Sequence, residues 1–270
     1  MRLFHAMYGR KDVEIRFRNT KLIMPSKDIT LTPTVMSGSF EKMELDIFEL
    51  ACKGKQTILD IGANVGIYSV IAARLIKPKG EIHAFEPIAE NLFYLEKNIA
   101  LNKDHNKVRV VPAALGPKEG TLKLFLSDKQ IGTHSVAKLS QKAVAVEVPV
   151  VTVDGYIKEN KLQKVDVLKI DVEGYDGFVV EGARSTLKKF KPTLFIEFNP
   201  PLLKACKYNP ETFLKNLMAV YDNCYVIDEY KDRIFRATQD DIRSMKVVTN
   251  INLVLSDDEA LNKKIDRLVS

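Results

Sequence analysis

The chain of 270 residues has only three cysteines, Cys52, Cys206 and Cys224, and no two of them are close enough for a paired spacing. Neither a disulfide framework nor a zinc site is therefore expected, and a reducing compartment fits. Any uncharged apolar stretch of membrane-spanning length is also missing, and Met1 to Arg10 lack the apolar core of a signal peptide. The expectation is a cytoplasmic protein without a membrane span. Internal repeats and low-complexity tracts are absent, so no solenoid is implied. Charge of one sign does not dominate: Lys+Arg 41 against Asp+Glu 35 gives +6. A solvated surface accommodates that excess without a nucleic-acid partner.

What is present suffices for a full α/β core, with 46% hydrophobic residues over this length. From Val13 to Leu31, short apolar and polar runs alternate around Asn19, Pro25 and Ser26. This predicts a β-rich N-terminal extension over residues 1–37, ahead of one domain over 38–270. Glu41 to Cys52 has near-helical apolar spacing. Strands at Thr57–Ile61, Glu81–Phe85 and Val108–Val111 then alternate with helices at Gly66–Ile76 and Ala89–Leu101, the rhythm of βαβ units. Thr121–Leu126 and Val144–Val153 break it as an inserted hairpin over about residues 120–153, around Gly132-Thr-His-Ser135. The alternation resumes with strand Val165–Ile170, helix Tyr175–Leu187, strand Thr193–Phe198, helix Pro210–Tyr221 and strand Tyr225–Asp228. A polar stretch, Lys231–Arg243, precedes a strand at Asn250–Leu255 and a helix at Asp257–Leu268. The predicted class is α/β: a Rossmann-like, seven-stranded, mostly parallel sheet with helices on both faces.

The densest signal is Ile58-Leu-Asp-Ile-Gly-Ala-Asn-Val-Gly66, an apolar strand running into a tight turn and then a helix. Gly62, Ala63 and Gly66 are small enough to let a ligand approach the backbone, and Asn64 tolerates positive φ. A dinucleotide site wants a third glycine where this chain has Ile67, and it does not need the carboxylate of Asp60. S-adenosylmethionine has no pyrophosphate, but its methionine end carries an ammonium group that Asp60 can help hold. Glu86, followed by Pro87, ends the second strand about 24 residues beyond Gly62, where a carboxylate accepts ribose hydroxyls. Ala113 and Ala114 end the next strand in small residues against which an adenine face can lie. Together these residues point to S-adenosylmethionine.

The same segments resemble the FkbM-type methyltransferases. The likeness rests on Ile58 to Ser69, Ala84-Phe-Glu-Pro87, Val146 to Asp154 and especially Val165-Asp-Val-Leu-Lys-Ile-Asp-Val-Glu-Gly174, and it covers roughly Gly38 to Phe198. It implies a Rossmann-like class I methyltransferase fold and S-adenosylmethionine as donor. It also implies methylation of a hydroxyl on a sugar, polyketide or lipid-like small molecule.

Ligands of open α/β sheets sit beyond the carboxyl ends of the strands, so Asp171 and Glu173 are expected to face the donor methyl. Either is a candidate general base for an attacking hydroxyl, with His134 on the inserted loop as runner-up. Alternatively, Asp171 caps the helix at Tyr175 and Glu173 only braces the turn with Gly174. Glu41 is a candidate to close over the methionine end of the cofactor. Glu197 and Asn199 have the chemistry to join Asp171 around a hard cation, but capping roles are favoured and no metal is expected. One alternative is an RNA methyltransferase, since Glu86-Pro87 followed by Asn98-Ile-Ala-Leu-Asn102 also suits RNA-modifying enzymes. Against it, the fourth strand is followed by Asp171-Val-Glu-Gly174, with no Asn/Asp-Pro-Pro-aromatic turn, and Asn199-Pro-Pro-Leu202 comes one strand too late. Another is a cofactor-binding scaffold without catalysis. The sequence names neither the acceptor nor the oligomeric state.

Overall fold

Alternating burial makes the first hairpin: β1 (Val13–Phe17) and β2 (Thr20–Met24) pair antiparallel, with Val13, Ile15 and Phe17 turned inward. The computed structural model describes residues 12–126, 134–138, 143–245 and 250–269, so the Met1–Arg10 segment, Gly132 and Thr133 lie outside the described residues. The apolar run ending at Leu31 is not a third strand. Asp28 accepts the backbone N–H groups of Thr30, Leu31 and Thr32 at 2.6–3.3 Å, which satisfies the open donors of helix α1 (Leu31–Ser37). Helix α2 (Lys42–Cys52) leads into the sheet.

The parallel half of the sheet follows: β3 (Thr57–Ile61), α3 (Ile67–Leu75), β4 (Glu81–Phe85), α4 (Ala89–Ala100) and β5 (Val108–Val111). A separate three-stranded sheet comes next, in which the two-residue β6 (Ala114–Leu115) and β7 (Gly120–Leu126) flank β8 (Val144–Val151). After α5 (Val153–Glu159), the main sheet takes up β9 (Val167–Ile170), α6 (Asp176–Gly182), α7 (Arg184–Phe190) and β10 (Thr193–Phe198). The chain closes with α8 (Pro200–Ala205), α9 (Pro210–Met218), β11 (Cys224–Asp228), β12 (Arg233–Arg236), α10 (Gln239–Ser244), β13 (Ile251–Leu255) and α11 (Glu259–Ile265).

The main sheet has the order β12-β11-β13-β10-β9-β3-β4-β5, and β13 runs antiparallel to both neighbours. It has eight strands where seven were expected. The extra one, β12, lies in the polar stretch and pairs on the edge with β11, and its alternation of Arg233, Ile234, Phe235 and Arg236 is too short to stand out in sequence. Several helices also differ from expectation: α5 begins at Val153, where the strand was expected to end, and α10 lies in the polar stretch. The helix expected over Tyr175–Leu187 divides at Ala183 into α6 and α7. The unexpected α8 starts on two prolines, capped by Asn199.

Every side chain of β3 is buried, as a strand covered on both faces requires. The first hairpin packs into the same apolar cluster as β3 and α3. It is pinned to α4, where the Asn98 amide bonds Ile23 N and O at 2.6 and 3.2 Å. From β3 the chain winds to β4 and β5 on one side and later to β9 and β10 on the other, so the switch point lies between β3 and β9. Their carboxyl ends open the crevice where such sheets bind ligands.

The end of helix α6 lies against the segment after β6 only because Gly182 has no side chain: a Cβ there would collide with the Gly116 carbonyl oxygen. Gly182→Ala is expected to destabilise the fold by about 1–3 kcal/mol through overpacking. The check is a lower urea midpoint at unchanged m-value.

Candidate active site

The turn after β3 is built from positive-φ residues, Gly62 (83°), Asn64 (51°) and Gly66 (88°). A Cβ on Gly62 would overlap the Asp171 carbonyl oxygen, and one on Gly66 would press on Leu95. Glycine is therefore demanded by close approach as well as by φ. Gly62 and Ala63 donate their N–H groups to the Phe85 carbonyl at 3.0 and 2.9 Å, tying the turn to the end of β4.

Above the turn lies a cavity of about 910 Å³, its open mouth included. Its walls bring together Asp60, Gly62, Ala63, Asn64, Glu86, Pro87, Ala113, Ala114, His134, Asp171 and Glu173, far apart in sequence and all singled out there. Two of the expected residues stand off the wall: Gly66 starts α3, and Glu41 sits behind Tyr68. The Asn64 side-chain oxygen is buried without a hydrogen-bond partner.

Glu86 is buried at the end of β4. It is 4% exposed, and its two oxygens accept Asn64 N at 3.0 Å and Ile88 N at 2.8 Å. Burial pushes its carboxyl up to about 7, against these hydrogen bonds. The hairpin supplies the opposite, apolar wall through Leu122, Leu124 and Val136, next to Ala114 and Ile88.

At the other end, Lys169 lies beside Asp60 in the β3–β9 register. It is 4% exposed. Its ammonium is 3.0 Å from the Asp171 carboxylate and 4.2 Å from the centre of the Tyr68 ring, a cation–π distance. Burial alone would lower the Lys169 pKa, but Asp171, Glu44, Glu41 and Asp60 outweigh it and hold the ammonium above its ordinary value. Asp60 accepts from the Ser69 hydroxyl at 2.6 Å, and burial raises its carboxyl despite Lys169. Behind Tyr68, whose hydroxyl donates to Glu41 at 2.5 Å, burial pushes Glu41 to about 7 and Glu44 to about 8. Glu229, in the turn after β11, accepts the N–H groups of Met43 and Glu44 at 2.8 and 3.0 Å and so caps α2.

Asp171 does not cap the following helix, whose start has no side-chain cap among the described residues; Asp176 braces the turn ahead of it, accepting Val172 N at 3.3 Å and Gly174 N at 3.0 Å. Asp171 is engaged by Lys169 instead. Glu173 has φ 52° and Gly174 φ 89°, so two successive left-handed residues hold the turn. The Glu173 carboxyl lines the cavity without a hydrogen bond among the described residues, and burial, with Asp171 and Asp176 nearby, raises its pKa well above the ordinary value. The inserted loop is fastened here: the Ser135 hydroxyl donates to the Glu173 carbonyl at 3.0 Å, and His134 beside it is half-buried, which lowers its pKa. Glu197 accepts from the Asn250 amide at 2.8 Å, while Asn199 caps α8 through Leu202 N at 3.2 Å. Among the described residues, no group of three or more His, Cys, Asp or Glu side chains is placed to hold a metal ion, and no helix is long and apolar enough to cross a membrane.

Strand order, switch point and glycine turn are those of a Rossmann-like class I methyltransferase. Residues 60–218, more than half of the chain, match the methyltransferase FkbM domain. The chain belongs to that family. The methyltransferase sdnD of Sordaria araneosa is 30% identical over a match covering 46% of this chain and 59% of that protein. The hexuronic acid methyltransferase AglP of Haloferax volcanii is 23% identical, covering 48% and 50%. The chain thus spans only half to three-fifths of the length of these curated relatives. Among solved structures, the FkbM methyltransferase of Methylobacillus flagellatus aligns over 75% of this chain and 44% of its own, with 14% identity and a TM-score of 0.46. The O-methyltransferase TomG of Streptomyces achromogenes, solved with S-adenosylmethionine, aligns over 86% and 83%, with 13% identity and a TM-score of 0.45.

Sequence reasoning missed Lys169 and Tyr68 as parts of the site, and the hairpin's apolar wall. The signal for Lys169 was available: a lysine within an otherwise apolar buried strand needs a countercharge.

The buried carboxyls give ligand-free stability a pH dependence of definite sign. Glu86 keeps its proton to about 7 when folded, whereas an unfolded glutamate loses it near 4.5. Stability is therefore undiminished below about 4.5 and falls as pH rises towards 7, by on the order of 1.4 kcal/mol per pH unit for one proton. Urea unfolding at a series of pH values is expected to show a shallower decline in Glu86→Gln than in wild type, and parallel curves would contradict the assignment.

Proposed function

We propose that the chain is an S-adenosylmethionine-dependent methyltransferase acting on a hydroxyl of a sugar, polyketide or lipid-like small molecule. Residues 38–270 form its methyltransferase domain, and 1–37 are an extension. The observation that carries the reading is the Glu173 carboxyl, without a hydrogen-bond partner among the described residues, on a left-handed turn and facing the cavity beside the glycine turn.

The cavity suits the cofactor on three counts. Gly62 leaves the turn bare, the Asn64 oxygen is buried without a partner among the described residues, and Glu86, held by Asn64 N, Ile88 N and the Asn91 side chain, lines the wall. Glu86 would hold the ribose hydroxyls. Ala113, Ala114 and Ile88 would flank the adenine, and Asp60 would take the methionine ammonium with Glu41 closing behind Tyr68. The cofactor, when bound, supplies a methyl group already activated on a sulfonium.

The protein then has to orient the hydroxyl and take its proton. Glu173 suits the second task, since it faces the cavity and its pKa, raised by burial and by Asp171 and Asp176, makes its carboxylate a stronger base than an ordinary glutamate. Asp171, paired with Lys169 at 3.0 Å, is suited to orienting the acceptor. His134, kept neutral by its lowered pKa, is the reserve base.

Transfer of labelled methyl from S-adenosylmethionine into small molecules of a cell extract, read by mass spectrometry, tests the reading. Glu173→Gln is expected to cut the rate about 10²-fold or more, and Asp171→Asn to cut it less. Wild-type turnover in both variants would overturn the roles assigned here. No heat on titration with S-adenosylmethionine would overturn the donor.

A further inference from the structure

We propose that the donor end of the cavity selects by charge: it binds a cationic sulfonium donor with release of protons to solvent, and holds the uncharged thioether product more weakly. This rests on the donor reading above.

The argument begins with a count of fixed charges around one space. Asp60 at the end of β3, Glu86 beyond β4, and Asp171 and Glu173 beyond β9 line the cavity, and Lys169 is the one lysine or arginine that lines it among the described residues. His134, the other titratable base on the wall, is held neutral by burial. Behind the Tyr68 ring, Glu41 and Glu44 add two more carboxyls to the same ammonium's surroundings. Around the site the α2 cap is Glu229, the α6 residue bracing the turn is Asp176, and Glu197 lies near the end of β10, while Lys27, which acts on His134 at the other side of the wall, is paired with Glu90.

Lys169 can neutralise only one of these groups fully, and it is already committed to Asp171 at 3.0 Å. The empty site meets its excess by keeping protons on carboxyls, and burial accordingly pushes Glu41 and Glu86 to about 7 and Glu44 to about 8. A positive charge brought into the cavity is a better partner for a carboxylate than a proton held against solvation, so those protons leave. S-adenosylmethionine and S-adenosylhomocysteine share adenosine, ammonium and carboxylate, and differ in the methyl and in the charge on sulfur. Their difference in proton release therefore isolates that charge. It also explains how a product with nearly all the donor's contacts can be given up.

The sign of the pH dependence follows. Below the pKa values of the empty site, each proton expelled strengthens binding about tenfold per pH unit, and the gain levels off above them. The window is pH 5.5 to 7.5, below the titration of the ligands' own ammonium near 8.

The test is titration calorimetry of the unmodified protein at pH 6.5 in phosphate and in imidazole, whose ionisation enthalpies differ, with affinities followed across that window. The probes are S-adenosylmethionine, S-adenosylhomocysteine and sinefungin, which carries an amine where the donor has its sulfonium methyl. The donor and sinefungin are expected to release about one proton and to bind roughly tenfold tighter per pH unit. S-adenosylhomocysteine is expected to release less than half a proton and to change less than about threefold over the window. Equal proton counts and parallel pH profiles for all three would overturn charge selection while leaving the donor reading standing. Failure of every probe to bind would overturn the donor reading and this proposal with it.

Discussion

Two backbone turns touch at the centre of this molecule with no side chain between them. The turn after β3 lies so close to the Asp171 carbonyl that Gly62 admits no Cβ, and the rest of the site depends on that contact. It brings the carboxyl ends of β3 and β9 together at the switch point, puts Asp60 beside Lys169 and aims Asp171 and Glu173 into one cavity. A larger residue would push the strand ends apart and take the polar groups out of reach of one another.

The contact collects charge in a space that most folds would fill with apolar side chains. An unpaired buried carboxylate is costly, and a buried lysine alone is no better. Here each moderates the other: Lys169 gives Asp171 a partner at 3.0 Å, its ammonium lies over the Tyr68 ring, and Tyr68 in turn donates to Glu41, while burial raises the pKa of the carboxyls around them.

Much of this was legible in the sequence where the pattern is local. Asp60, Gly62, Asn64 and Glu86 sit at strand ends, and the spacing of apolar runs locates strand ends well. What was not legible depends on residues distant in sequence. Lys169 reads as a strand residue until Asp60 is known to lie next to it. Asp171 was offered a helix cap that no described side chain supplies: Asp176 accepts the N–H groups of Val172 and Gly174 in the turn ahead of the helix. Helix α1 was hidden among strand-like runs, since its start depends on the Asp28 carboxylate and not on periodicity. The hairpin's hold on the site, Ser135 to Glu173, joins segments that no local rule connects.

The cap on α2 has a consequence for how the chain comes to be folded as it is made. Met43 and Glu44 find their acceptor in Glu229, 186 and 185 positions further on, and domains emerge from the ribosome amino end first. The start of α2, with Glu41 at its tip, therefore waits until most of the chain has been synthesised before its N–H groups are satisfied.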